Sequence, residues 1–506
     1  MPKSPIPSHP LLTTDEARAL EARILGGDER KEWGAMRQAG RLVAAAALRD
    51  IGEIGGFPAA GRVLVLAGKG NNAGDALIAA REILDTFPGA GGDVLFAFGP
   101  RKLGPFASRA WRELSGSCGG RLREAGADAL SGRYDLCLDG IFGFQYRPPL
   151  PPEAASAIGA SARCRIGLRA AVDLPSGWDE PGAFGADFTY ATGSVKAPVI
   201  GCAHAGRPRY LDLGFFRGGE GEGAAPGDRV ILPSILGPLA GLRPAGSDKR
   251  SQGHLLIVGG SSGFPGAVLM ATLSALRSGA GLVTSFVPRS LAPAFASRAP
   301  EAMWVGLPET PGGGLAREGL QRIMGGVERA TALAIGPGLG RDPETLSLAM
   351  DIVTGSPVPL VIDADALQPD IVRAGSAPRI VTPHAGEFER IAFGANLREL
   401  CAALPGVVIR KGPVTSVSEG GSVYHSFHGG PVLSRGGSGD LLSGLVGGLL
   451  AQLPEDPLTA ACRGAVWHGM AADLLARSQG QTAVQILQWL DFLAPALREA
   501  AASPEG

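Results

Sequence analysis

Aromatic residues are scarce in this chain of 506 residues, at 6%, which leaves few flat surfaces for stacking nucleobases. An excess of one charge is missing too. Forty-seven Lys and Arg stand against 48 Asp and Glu, for a formal net charge of −1. Nucleic-acid binders usually carry a basic surplus, so no nucleic-acid partner is expected. Lysine is rare, with seven against 40 arginines, so a lysine inside a motif carries extra weight. The six cysteines, Cys118, Cys137, Cys164, Cys202, Cys401 and Cys462, include no C-x-x-C pair. That excludes a zinc ribbon and a thioredoxin motif, and the expectation is unpaired thiols in a reducing cytoplasm. Long hydrophobic runs are also lacking. The longest, Leu441 to Leu453, holds three glycines and falls short of the ~20 residues that span a bilayer. The N-terminal MPKSPIPSHP has no apolar core of a signal peptide. A soluble cytoplasmic protein with no membrane partner is expected.

What is present points to packed domains. Hydrophobic residues make up 45% and charged residues 19%, enough for sizeable cores, and the length suits about two to four domains. There are 77 glycines and 40 prolines. They follow no G-X-Y period, so they indicate tight turns and backbone-lined sites rather than collagen. The stretch RGGEGEGAAPGD, Arg217 to Asp228, is nearly free of apolar side chains and reads as a linker. The expected organisation is a domain over 1–220, a Gly-rich linker over 221–230 and a domain over 231–506.

In the first half a helical pattern runs from Trp33 to Arg49. Short apolar strands are expected at Val63 to Ala67, Asp93 to Phe98, Tyr134 to Leu138 and Gly167 to Val172. In the second half they are expected at His254 to Val258, Gly281 to Val287, Ala332 to Ile335, Leu360 to Ile362, Arg379 to Val381 and Val407 to Arg410. The last long helix is expected to start after Gly439-Asp440. Strands alternating with helices predict the α/β class, with a doubly wound sheet in the first half and a second layered α/β domain after it.

Three motifs of the first half fall at strand ends, where open α/β sheets bind ligands. AGKGNNAGDAL, Ala67 to Leu77, joins a strand to a helix whose N-terminus suits a phosphate. LCLDGIFGF places Asp139, and AVDLPSGWD places Asp173 and Ser176. Asn72, Asp139 and Ser176 offer oxygen ligands to a monovalent cation, and Asp173 is the best candidate for acid/base work. A plain turn or a capping role is the bland reading of each alone. In the second half the chemistry-bearing segments are HLLIVGGSSGFPGA, AIGPGLG, VIDADAL, VTPHAGEFER, VIRKGPVTSV and SRGGSGDLLSG. In the last, Gly436, Gly437 and Gly439 lead into a helix bearing Asp440. Amides there can hold a transferring phosphoryl group, and the carboxylate can take a proton from an attacking hydroxyl. Lys411 and Thr415 suit nucleotide contacts, and His384 is either a ligand or a satisfied structural histidine.

Taken together, the first-half motifs resemble the NAD(P)H-hydrate epimerase family, and the second half resembles the ribokinase-like NAD(P)H-hydrate dehydratases. AMRQAG, ADFTYATGSVKAPV with Lys196, and LDLGF (Leu211 to Phe215, looking like a closing strand) add to the first likeness. Gly-Pro-Gly-Leu-Gly, Asp-Ala-Asp-Ala-Leu and Thr-Pro-His-x-Gly-Glu carry the second. The resemblance implies a Rossmann-like first domain, a ribokinase-like second domain, and a bifunctional repair enzyme. Its first half would interconvert the epimers of hydrated NADH and NADPH; its second would dehydrate the S form using ADP or ATP, with Mg²⁺. By the same resemblance Asn71, Asn72, Ala73, Gly74, Asp75, Asp173 and the loop Gly143, Phe144, Gln145, Tyr146, Arg147 hold the hydrate in the first site. Potassium maps to Asn72, Asp139 and Ser176. Ala267, Gly340, His384 and Asp440 hold the hydrate in the second site, while Lys411, Gly412, Pro413, Val414, Thr415 and Gly439 hold the adenine nucleotide. A homo-oligomer is expected of such α/β domains. The sequence departs from the family at Ala73 and Ala76, where Gly is usual, at Gln145-Tyr146, and at Ser434-Arg435. Added side chains near a phosphate loop would narrow the pocket. Two alternatives therefore stand: a first half that only binds, and a ribokinase-like small-molecule kinase.

Overall fold

The computed structural model describes residues 5–218 and 226–502. Most of the Gly-rich stretch read as a linker, residues 219–225, lies outside the described residues. The described chain forms two compact units, one from 9–218 with 476–483, the other from 226–475 and 484–502 with 5–8. The linear division at 221–230 is thus corrected on two counts. Residues Asp228–Ile231 already form a strand, paired with Val423 to His425, and residues 476–483 fold with the N-terminal unit.

The N-terminal unit holds a seven-stranded sheet, wholly parallel, in the order 122–124, 91–96, 62–67, 133–140, 165–172, 188–192, 207–211. Strand Arg62–Ala67 is apolar from Val63 onward because both faces are covered. Val63 and Val65 meet the helices Glu29–Asp50 and Asn71–Thr86 on one face, while Leu64 and Leu66 meet the helix Pro152–Ala162 on the other. The doubly wound expectation holds. The closing strand is Arg207–Leu211 rather than Leu211 to Phe215, and Phe215 instead packs with Leu20 and Phe216.

The C-terminal unit orders its strands 303–307, 282–288, 254–258, 332–335, 360–362, 379–381, 406–410, all parallel, then 415–418 and 423–426 antiparallel, then 228–231. The antiparallel margin was not legible in the sequence, because its polar, Gly-interrupted strands lack the apolar run of the central ones. The glycine-led helix spans Ser438–Gln452, so it begins before Gly439 and carries Asp440 in its first turn. It is not the last long helix, since Pro457–Gln479 and Leu493–Ala502 follow.

Candidate active sites

The first site is built at the carboxyl ends of the central strands of the N-terminal unit. Strand Arg62–Ala67 ends in Gly68-Lys69-Gly70, and helix Asn71–Thr86 starts at once. A side chain at Gly68 would overlap the Ile141 carbonyl, so two strand-end loops touch there only because glycine permits it. Asn72 Nδ2 donates to Phe142 O at 2.8 Å. Asp139, fully buried, accepts from Ser176 Oγ at 2.7 Å, Ser176 N at 2.8 Å and Ile141 N at 3.2 Å. The Phe142 N–H donates to Ser176 Oγ at 2.9 Å. Asn72 and Ser176 therefore meet at the Phe142 backbone, and Asp139 joins them through Ser176. Burial pushes the Asp139 carboxyl up to about 6, against the pull of its Ser176 and Ile141 donors; no cationic side chain is among its influences.

Asp173 follows strand Arg165–Val172 with φ 68°, a left-handed conformation that Asp tolerates better than most residues. This turn aims its two oxygens differently. Oδ2 accepts from Phe144 N at 2.8 Å, and Oδ1 lies 2.6 Å from Lys196 Nζ. Lys196 is only 1% exposed, donates also to Thr192 O at 3.0 Å, and sits 4.8 Å from the Phe144 ring centre. Over the pair opens a cavity of about 230 Å³ whose lining includes Asn71, Asn72, Asp75, Gly143, Phe144, Gln145, Tyr146 and Asp173. A hollow of about 270 Å³ shares Asn71, Asp75 and Gln145 with it. Burial, then the charges of Asp173 and Glu21, push the Asp75 carboxyl well above its ordinary value, against Lys196.

Three expected residues stand elsewhere. Ala73 and Gly74 are buried on the helix face turned to the core, where Gly74 leaves room for the Met36 thioether. Arg147 is exposed and outside the cavity lining. Ala73 and Ala76 are fully buried against Gly140, which the Ala76 methyl and the Ala73 Cα face, so they do not narrow the pocket as expected. Gln145 and Tyr146 do form its wall; Tyr146 Oη donates to Glu180, and its ring lies 5.2 Å from that of Phe142. Sequence reasoning assigned no role to Lys196, Thr192 and Glu21, which also line the cavity. The rarity of lysine was the available signal for Lys196; Glu21 had none.

The second site is in the C-terminal unit. Lys411 Nζ donates to Asp363 Oδ1 at 3.0 Å, lies 3.8 Å from Glu387 Oε2, and stands 3.3 Å from where a Gly439 Cβ would be. Gly439 thus lets the helix start approach a half-buried cation. Asp440 follows it in the first turn. Burial, Asp363, Asp365 and Glu387 push its carboxyl up to about 7, against Lys411. Gly340 N donates to Asp365 Oδ2 at 3.1 Å, and Gly338 packs against Ala267. His384 caps the helix Ala385–Ala392, its Nδ1 accepting from Gly386 N at 3.1 Å, while Glu387 returns a bond to His384 N at 2.8 Å. Its ring remains exposed, so it is a structural cap with a free face. Gly412, Pro413 and Val414 turn the hairpin beyond Lys411, and Thr415 opens the next strand. Sequence reading placed Glu387 beside His384 at this strand end but missed the partners Asp363 and Asp365, though VIDADAL displayed them. Missing too was His468. It is buried, pushed down to about 4 by desolvation, and 3.2 Å from Ser438 O on the helix start.

Comparison with known proteins places both halves of the chain in known families. A family model described as NAD(P)H-hydrate dehydratase matches residues 255–491, and one described as YjeF-related protein N-terminus matches residues 34–197. The bifunctional NAD(P)H-hydrate repair enzyme of Gloeobacter violaceus is 34% identical over 500 residues, 92% of this chain and 93% of that protein. That of Moorella thermoacetica is 33% identical over 482 residues, 86% of this chain and 87% of that protein. The ADP/ATP-dependent NAD(P)H-hydrate dehydratase of Bacillus subtilis, co-crystallised with ATP and Mg²⁺, is similar with a TM-score of 0.44 at 28% identity, covering 51% of this chain and 94% of that one. Matched over most of its length by such relatives, the chain belongs to the family of bifunctional NAD(P)H-hydrate repair enzymes, which joins an epimerase to a dehydratase.

Proposed function

We propose that the C-terminal unit dehydrates the S hydrate with Asp440 as base and that the N-terminal unit epimerises the R and S forms around Asp173. The observation that carries the reading is Asp440 in the first turn of a helix led in by Gly436 and Gly437, with Gly439 in the same turn and the Asp440 carboxyl raised to about 7. Asp440 takes the proton of the ring hydroxyl, and the oxygen attacks the terminal phosphorus of ADP or ATP while the shortened nucleotide leaves. The amides of the glycine turn hold the transferring group. Phosphate then departs with its bonding electrons, the neighbouring carbon loses a proton, and the ring double bond returns. Phosphorylation converts hydroxide, a poor leaving group, into a good one.

Lys411 already neutralises Asp363 and approaches Glu387, and among the described residues no trio of His, Cys, Asp or Glu forms a metal cage. This fits Mg²⁺ arriving on the nucleotide phosphates, its usual mode, where it would offset their charge. Potassium fits the first site differently. Asp139 is a buried carboxylate with donors but no cationic partner among the described residues, and Asn72 Oδ1 is turned toward Gly143 while Nδ2 holds Phe142. Bound there, K⁺ would supply the missing counter-charge and steady the substrate loop. Hydrated NADH and NADPH and the adenine nucleotide are the proposed small-molecule partners. The free thiols, five of them buried, support a cytoplasmic setting. No described helix is long and apolar enough to cross a membrane. Self-association into a homo-oligomer is part of the proposal and is read by light scattering.

The test mixes the full chain with an R/S mixture of hydrated NADH, Mg²⁺, K⁺ and either ADP or ATP, and follows the dihydronicotinamide absorbance. Full recovery, faster than spontaneous epimerisation allows, is expected, and the faster nucleotide names the donor. Recovery that stalls once the S form is consumed would leave the first unit a binding module. No recovery, with a phosphorylated product accumulating, would favour the small-molecule kinase.

A further inference from the structure

We infer that Glu21 works opposite Asp173 in the epimerase cavity, the two acting as an acid and base pair that moves the hydrate's hydroxyl from one face of its ring to the other. The inference rests on the epimerase assignment of the N-terminal unit and specifies how its cavity inverts one carbon.

The two epimers differ at the single carbon that bears the hydroxyl and the ring nitrogen. Inversion by exchange with water needs a proton donor on the face the hydroxyl leaves and a proton acceptor on the face that water enters. Asp173 is fixed as an acceptor, one oxygen on Lys196 Nζ at 2.6 Å and the other on Phe144 N at 2.8 Å. So constrained, it serves one face. Glu21 comes from a separate element, the helix Thr14–Leu25, and lines the same cavity. That helix precedes the family-matched residues 34–197, and no motif marks it. The charged groups that share its cavity and the adjoining hollow are Arg18 on its own helix, Glu32 on the next, Lys69, Asp75, Asp173 and Lys196. Burial, with the charge of Asp173 behind it and Lys196 opposing, pushes the Glu21 carboxyl up to about 7, so it keeps a proton to give near neutral pH.

The step balances without any further reagent. Glu21 protonates the hydroxyl, the carbon–oxygen bond breaks, and the ring nitrogen's lone pair forms a carbon–nitrogen double bond as water departs. A second water adds to that carbon from the other face and gives its proton to Asp173, while the nitrogen recovers its lone pair. One water leaves, one enters, and the proton returns from Asp173 to Glu21 through solvent. In the reverse direction the two carboxyls exchange roles.

The experiment uses the full chain without adenine nucleotide, so the dehydratase is idle, and starts from one separated epimer of hydrated NADH in heavy-oxygen water. The wild type is expected to interconvert the epimers with one solvent oxygen incorporated per inversion, at a rate that falls as pH rises through about 7. Glu21→Gln is expected to lose about 100-fold in kcat, with little change in KM, and to lose that pH limb. Glu21→Ala is expected to regain rate with added formate or acetate, which a merely structural role would not allow. A wild-type rate in Glu21→Gln, inversion without solvent oxygen, or an unrescued Glu21→Ala with raised KM would overturn the pair. A wild type no faster than spontaneous exchange would instead overturn the epimerase assignment itself, and the pair with it.

Discussion

Asp440, the proposed base, shows how a carboxyl can be held at the expense of stability. Its carboxyl sits among Asp363, Asp365 and Glu387 and keeps its proton up to about 7, whereas an unfolded Asp loses it near ~3.9. The folded state therefore binds the proton more tightly, and stability falls as pH rises from ~4 to about 7. The dehydratase rate should rise with pH through about 7, as the base becomes free to accept a proton. Asp440→Asn should abolish dehydration, leave epimerisation intact, and stabilise the C-terminal unit above neutrality on the order of 1 kcal/mol, or ~2–4 °C in Tm. Melting curves at alkaline pH with both assays check this; a variant that melts lower would show Asp440 to be a structural carboxylate. At this scale the sequence displayed Asp440 and Asp173 because glycine motifs frame them. It hid the partner of Lys196, which reaches Asp173 across 23 positions.

Among the elements, helix Ser438–Gln452 is set by glycines inside it rather than only before it. A Cβ on Gly444 would overlap the Ala271 carbonyl, and one on Gly448 would overlap the Ser278 hydroxyl. Interior glycine costs a helix about 1 kcal/mol relative to alanine, and here it permits close seating on helix Pro265–Arg277. Gly444→Ala should destabilise by roughly 1–3 kcal/mol and shift the first turn, lowering dehydratase activity with epimerase activity unchanged. Equal loss of both activities in parallel assays would refute this local account. The glycines were legible in the sequence as an apolar run of 13 residues from Leu441 to Leu453, but their contacts were not. Backbone strain was equally hidden. Asp173 (φ 68°) and Ala364 (φ 50°) both turn left-handed at strand ends, and at each site the turn separates the directions of neighbouring polar groups.

On the scale of the whole chain, the N-terminal unit is not contiguous, because residues 476–483 fold with it. Buried Asp50 lies 3.4 Å from Arg477 as well as 3.4 Å from Arg209, and buried Glu53 accepts from Gln481 and from Arg207. A fragment ending at residue 220 would strand part of each carboxylate's coordination. It should be less stable than the same unit in the full chain by roughly 3 kcal/mol, since bonds to buried charges are worth ~1.5–3 kcal/mol each. Arg477→Ala in the full chain should reproduce part of that loss. Thermal melts of the three proteins decide, and identical transitions would make the returning segment a passenger.

The sequence by itself determined the α/β class, the central parallel strands, the motifs at their ends and the family. These are local signals: buried strands are apolar without interruption, and phosphate-facing turns need glycine. Only the tertiary structure decided that Ala73 and Ala76 fill a helix–strand contact rather than a pocket. It alone brought Lys196 to Asp173, Lys411 to Asp363 and Glu21 to the cavity wall. It also returned residues 476–483 to the first unit. Pairings between side chains far apart in the chain leave no periodicity or spacing to read, because burial and charge balance fix them only once the strands have been brought side by side.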